Sequence, residues 1–284
     1  MKRVALILAL VGLAAAPAMP PSWSAPTAPF KIADNLYYVG TQGISSFLIT
    51  TPKGHILIDG AMPTSAKLIE AGITKLGFKP SDVKILLNTH AHFDHAAGLA
   101  ELKRDTGAEM ISSEGDRKAL ETGKYIGSEA VTMLDFAPVK VDRVVRDGER
   151  VRLGGAVLTA HVTPGHTAGC TTWTFDVRVA GVSRPAMVYC STSVAANRLV
   201  SKTLGPQYPG IVEDDRASFM KLATMKADIF LAPHAEQFGL DAKRAKLGSS
   251  GPNPFVDPTE LQRFVAGSAA EFERDLAKQR EAAK

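Results

Sequence analysis

Apolar and polar positions alternate loosely from Lys31 to Val39 and again from Ser45 to Thr50, with Gly40 and Gly43 between the runs. This period of two, carried by Ile, Tyr, Phe and Val, predicts a β-hairpin, and His55-Ile56-Leu57-Ile58 predicts a third strand that stops at Asp59-Gly60. After Pro63-Thr64 the period lengthens. Ala66, Leu68, Ile69, Ile73 and Leu76 recur at helical spacing until Gly77. The run Val83-Lys84-Ile85-Leu86-Leu87 then reads as a buried strand. Strand, helix and strand in succession imply a crossover unit, which places functional residues at the C-terminal end of the second strand.

The same patterns continue along the chain. A helix is expected from about His95 to Arg104, a strand over Glu109–Ile111 and a helix from Glu114 to about Glu121. Strands follow at Val151–Leu153 and Val157–Val162 about the turn Gly154-Gly155, then a hairpin from Thr171–Val179 and Ala186–Tyr189. The stretch Thr192–Gly210 has Pro206 and Pro209 and no periodicity; long loops of this kind often border a substrate. An amphipathic helix (Ile211–Met225), a short buried strand (Ile229–Ala232), a Gly/Pro/Ser linker (Gly248–Pro258) and a last helix (Thr259 to about Ala283) complete the α/β pattern. Each half carries strands followed by helices, without a sequence repeat.

Composition changes this picture only at the N-terminus. Lys2-Arg3, the apolar run Val4–Ala16 and the small residues Ala16-Pro17-Ala18 predict a secretory signal peptide within residues 1–25, cleaved after about residue 18 to 25. Its apolar core is too short to span a bilayer. Residues 26–284 then form a single catalytic domain, periplasmic or secreted. Loss of Lys2 and Arg3 lowers the formal charge from +4 to +2, and no basic cluster points to nucleic acid or to a membrane after signal removal. The sequence carries no signal for an oligomeric state. An oxidising compartment lets the two cysteines, Cys170 and Cys190, pair across the ends of their hairpin.

The chemistry concentrates in Thr89-His90-Ala91-His92-Phe93-Asp94-His95. Three imidazoles and a carboxylate at the mouth of a buried strand are a zinc-ligand set. In extended backbone His90 and His92 lie on one side and can grip one ion, while Asp94 and His95 can reach toward a second. Four ligands are too many for one open catalytic zinc and too few for two sites, so distant ligands must complete a pair. His166, on the turn Gly165-His166-Thr167-Ala168-Gly169, is the candidate for the first ion, and His234, after the strand Ile229–Ala232, for the second. His161 is expected to be packed or to support a ligand, Asp59 to support the metal loop or be structural rather than catalytic, and His55 to lie on the surface.

The order H-x-H-x-D-H, G-H-T and Pro-His resembles the metallo-β-lactamase superfamily from about residue 31 to residue 247. That resemblance implies a four-layer αβ/βα sandwich with two zinc ions where the two sheets share an edge. Three features resemble the third subclass of class B β-lactamases in particular. His95 stands where that subclass has a ligand of the second zinc. Cys190 lacks the Lys three residues on that accompanies a cysteine ligand. No Asp occurs between Ala186 and Val200, where thioesterases, lactonases and processing nucleases of the fold carry a bridging carboxylate.

By this resemblance His90, His92 and His166 hold the first zinc, and Asp94, His95 and His234 the second. Asp94 also orients the metal-bound hydroxide, and the hydroxyls of Ser191, Thr192 and Ser193 receive the substrate's carboxylate. The implied activity is zinc-dependent hydrolysis of the β-lactam amide bond, conferring antibiotic resistance. The alternative is an exported zinc hydrolase of the same fold acting on a lactone or thioester.

Overall fold

The computed structural model describes residues 19–284, so most of the expected signal segment lies outside the described residues. Seven strands form one sheet in chain order: β1 (Phe30–Ala33), β2 (Leu36–Tyr38), β3 (Phe47–Thr51), β4 (Gly54–Ile58), β5 (Val83–Leu87), β6 (Glu109–Ser113) and β7 (Arg143–Val145). The first four run antiparallel, as hairpins allow. From β4 to β7 the pairing is parallel, as the crossover pattern predicts. The remaining strands, β8 (Arg150–Leu153), β9 (Ala156–Val162), β10 (Thr171–Val179), β11 (Val182–Val188) and β12 (Ile229–Leu231), form a second sheet in the order β12-β11-β10-β9-β8, with only β11 and β12 parallel.

Alternation decides which face meets which layer. Ile49, Ile56, Ile58 and Leu87 of the first sheet meet Leu158, Ala160, Trp173 and Met187 of the second in one apolar cluster. Leu48, Leu57 and Leu86 point the other way, onto Ile69, Ile73, Leu99, Leu102 and Leu120. Those last residues come from α1 (Ala66–Lys75), α3 (Leu99–Thr106) and α4 (Glu114–Thr122), which follows the short α2 (Phe93–Ala96) in the same layer. Against the second sheet pack α5 (Ile211–Thr224) and α7 (Glu260–Ala282), through Phe219, Leu222, Leu261, Phe272 and Leu276; the short α6 (Leu240–Arg244) lies between β12 and α7 in sequence. The result is the expected four-layer αβ/βα sandwich in a single domain.

Three sequence expectations are corrected. Lys31–Val39, expected as a single strand, is two, β1 and β2, paired antiparallel about the turn at Asp34-Asn35, so His55–Ile58 lies in the fourth strand rather than the third. The helix expected from His95 to Arg104 is broken into α2 and α3 around Ala97-Gly98. Gly98 lies against the carbonyl of Gly60, where a side chain would collide, so the break seats the metal loop on the end of β4. His55 is buried rather than on the surface, with Phe78 edge-on at 5.0 Å. Its strand is flanked by β3 and β5, so its face is covered by the helical layer rather than by solvent.

Candidate metal centre

Three chain segments bring the histidines together at one edge of the sandwich. The first leaves β5 at Leu87, the second follows β9, and the third follows β12. His90, His92, His166 and His234 sit just beyond strands, where side chains are aimed by backbone that the sheets hold rigidly, and Asp94 and His95 lie on the short α2 that follows. Thr171 N–H donates to the Thr89 carbonyl at 2.8 Å, and the Trp173 indole N–H donates to the Asn88 carbonyl at 3.1 Å, so the second sheet is sewn to the first beside the site.

Two buried carboxylates fix the loops that carry ligands. Asp59 accepts from Thr89 N–H and Thr89 Oγ1, each at 2.7 Å, and from Asn88 Nδ2 at 3.2 Å. It does so from a left-handed backbone, φ 65°, a strain that only a well-determined surround maintains. Burial pushes its pKa up to about 6, against the pull of His95 and its hydrogen-bond donors. This is the structural role expected of it. Asp116 on α4 has no signal in the sequence, yet it accepts from Ala91 N–H at 2.9 Å, Thr167 Oγ1 at 3.0 Å and Gly169 N–H at 3.0 Å. One carboxylate thereby holds the His90–His92 loop to the His166 loop.

The ligand atoms form two groups, His90–His92–His166 and Asp94–His95–His234, and within each all lie within 4.8 Å of one another. Nε2 of His90 and of His166 are 3.2 Å apart, as are Nε2 of His95 and of His234. A tetrahedral zinc with Zn–N bonds of about 2.0–2.1 Å places two ligand nitrogens about 3.3 Å apart. The Asp94 carboxylate, Oδ2, stands 3.1 Å from His95 Nε2 and 3.4 Å from His234 Nε2. His166 Nδ1 donates to the Ser193 carbonyl at 2.6 Å, which leaves the Nε2 lone pair free.

Electrostatics fit the same purpose. Burial, reinforced by neighbouring histidines, holds His90 and His92 well below the ordinary histidine range. His166 is lowered to about 4 and His234 to about 3, again chiefly by burial. All four are neutral lone-pair donors at physiological pH. At Asp94 burial works to raise the carboxyl, but His95 outweighs it and holds the group deprotonated far below the usual range. His95 moves the other way: burial lowers it, and the Asp94 charge raises it further. Convergent nitrogens and one carboxylate, with His95 able to give up its proton, fit two divalent metal ions.

A family model for the metallo-beta-lactamase superfamily matches residues 39–179. BJP-1, a subclass B3 metallo-β-lactamase of Bradyrhizobium japonicum, is 48% identical, with a TM-score of 0.90 over 93% of this chain and 99% of that one. The chain belongs to the metallo-β-lactamase superfamily. The native FEZ-1 metallo-β-lactamase of Legionella gormanii is similar over 90% of this chain and 98% of its own, 44% identical with a TM-score of 0.86. Among curated proteins, a hydroxyacylglutathione hydrolase of Rhodospirillum rubrum is 34% identical over 107 residues, 38% of this chain and 34% of that protein. This chain spans about a third of the length of the first such relatives.

A cavity of about 370 Å³ opens above His92, Asp94, His166 and His234. Ser191 and Ser193 line it. Thr192 does not: its hydroxyl is paired with Tyr189 Oη, and it faces a separate cleft beside α7. His161 pairs with Thr174 Oγ1 at 2.7 Å on β10, away from the ligands. Cys170 and Cys190 form a disulfide with their Cα atoms 5.7 Å apart, so Cys190 has no thiolate to offer a metal. The apolar walls come from Trp23, Phe93, Tyr125 and Leu134. Trp23, whose ring is 5.2 Å from that of His234, precedes β1 and had no sequence signal, because aromatic residues in irregular segments carry no period to read.

Proposed function

We propose that this chain is a two-zinc hydrolase that opens the β-lactam ring and so confers resistance to β-lactam antibiotics, exported by its N-terminal segment to the periplasm or beyond. The observation that carries the reading is the second triad, in which His95 joins Asp94 and His234 without a cysteine or a bridging carboxylate. Full-length similarity to BJP-1 and FEZ-1, named as metallo-β-lactamases, supports it.

His90, His92 and His166 would hold one zinc, and Asp94, His95 and His234 the other. Bound there, the metals supply Lewis acidity, which makes a water acidic enough to attack at neutral pH and polarises the lactam carbonyl. The chain's own groups supply the rest. Asp94 remains a carboxylate at the cavity floor and can accept a hydrogen from the attacking water, which orients it toward the carbonyl. Ser191 and Ser193 offer hydroxyls to the substrate's carboxylate, a role in which Thr192 is replaced by its bond to Tyr189. Trp23, Phe93 and Leu134 bury the substrate's apolar face and exclude water from around it.

A second reading, hydrolysis of a lactone or thioester, is favoured by the partial match to hydroxyacylglutathione hydrolases. Turnover of a chromogenic cephalosporin, an acyl-homoserine lactone and a hydroxyacyl-glutathione thioester by the zinc-loaded mature protein separates the two. The lactam reading requires the cephalosporin to have the highest kcat/KM, by about a hundredfold or more, a difference of roughly 2.7 kcal/mol in transition-state stabilisation. Preference for the thioester or lactone would overturn it.

A further inference from the structure

Besides the Ser193 carbonyl, which accepts from His166 Nδ1, the loop between Thr192 and Gly210 reaches the first triad through one buried side-chain amide, that of Asn197. Its Nδ2 donates to the His166 carbonyl at 2.8 Å, and its Oδ1 accepts from Tyr125 Oη at 2.6 Å. The orientation is chemically determined, because a backbone carbonyl only accepts and must face the NH2 end. The ring of Tyr125 stands edge-on to His92, with centroids 4.7 Å apart and planes at 86°. One side chain therefore touches the supports of two of the three ligands in the first group. It touches nothing in the second.

We propose that Asn197 is a positioning residue that sets how tightly the first triad grips its metal. A planar amide is suited to this because it gives a donor and an acceptor from one rigid group. A carboxylate keeps the acceptor for Tyr125 and sets a negative charge against the His166 carbonyl; a leucine gives neither bond. The surrounding loop does not depend on this side chain. Arg198 bonds Ser128 Oγ at 2.8 Å and the Gly127 carbonyl, Gln207 Nε2 bonds the Ile126 carbonyl at 2.7 Å, and Gln279 Oε1 on α7 accepts from Leu199 N–H at 2.7 Å. With those ties intact, loss of the Asn197 amide frees the His166 carbonyl and the Tyr125 hydroxyl without releasing the loop, and the His166 ring keeps its bond to the Ser193 carbonyl. The proposal rests on the metal-site reading and is independent of which substrate is hydrolysed.

The test is zinc affinity, measured by chelator competition on the mature protein with zinc alone as the ligand. In a His234→Ala background, where the first triad is the intact one, Asn197→Leu and Asn197→Asp are expected to raise the zinc Kd by about 10- to 100-fold, the usual effect of losing a group that orients a metal-binding histidine. Tyr125→Phe, which deletes one bond and keeps the ring against His92, is expected to raise it less. In a His166→Ala background, where the second triad is intact, the same substitutions should change Kd by less than about threefold. An unchanged Kd in the first background overturns the proposal. Equal weakening in both backgrounds also overturns it, since that marks general damage to the fold. Should Asn197→Leu fail to fold, Asn197→Asp and Tyr125→Phe, which conserve volume, decide the matter by the same criteria.

Discussion

The two triads share an edge of one sandwich but are built on different principles. The first is all imidazole, neutral, and backed by protein: Asp116 ties its two loops together, Asn197 and Tyr125 stand behind it, and the Cys170–Cys190 disulfide closes the adjoining hairpin. The second contains a carboxylate and a histidine of raised pKa, and its His234 is packed against the aromatic ring of Trp23 with its side chain 18% exposed. The rigid supports thus back the group of neutral donors, whereas charge would attract a metal to the other group, and the two are equally buried, with one partly exposed histidine each.

Ligand removal is the harshest way to test that contrast. His90→Ala takes away a ligand at the centre of the first triad and is expected to lower kcat/KM by about a thousandfold or more, a loss of roughly 4 kcal/mol in transition-state stabilisation. His234→Ala should instead reduce bound zinc from two equivalents to one, read by elemental analysis, and leave the first site filled. Equal loss of both metals in that variant would contradict the partition.

The disulfide sharpens the comparison from the side of stability. Cys170 and Cys190 are 20 residues apart, and closing a loop of that size is worth about 3 kcal/mol in the chain-entropy account. The Cys170→Ser/Cys190→Ser variant is expected to melt about 6–12 °C lower, by calorimetry of the zinc-loaded protein. Because the hairpin adjoins the His166 loop, first-site affinity should weaken more than second-site affinity.

Acid should separate the triads most gently. His166, at about 4, is already deprotonated at pH 6, so binding metal at the first triad displaces no proton from it there. His95 has a raised pKa in the metal-free protein and must release a proton to become a ligand. The sign follows: as pH falls, protons compete first at the second triad. Zinc affinity there is expected to drop by up to tenfold per pH unit below the His95 pKa, while first-site affinity stays nearly level from pH 8 to pH 6, measured by chelator competition.

Much of this was legible in the chain before its fold was known. Density and spacing exposed His90, His92, Asp94 and His95, because chemistry confined to six residues needs no tertiary information. His166 and His234 were legible because each follows a strand pattern and ends at a turn. What could not be read depends on contacts far apart in sequence. Asp116 reaches Gly169 across 53 residues, and Tyr125 reaches Asn197 across 72. His55 was misplaced because a strand's period shows that it has two faces but not that both are covered. Thr192 looked equivalent to its neighbouring serines, and only the alternation of the loop against Tyr189 separates it from the cavity.

The central claim is that two zinc ions, held by these six residues, make this chain a β-lactam hydrolase. Chelator-stripped mature protein should be titrated with zinc while bound metal and chromogenic cephalosporin turnover are followed together. The account requires turnover to vanish on stripping and to return as zinc fills the sites, with binding saturating at two equivalents. Cephalosporin turnover that survives complete stripping, or its absence with two zinc ions bound, would contradict it.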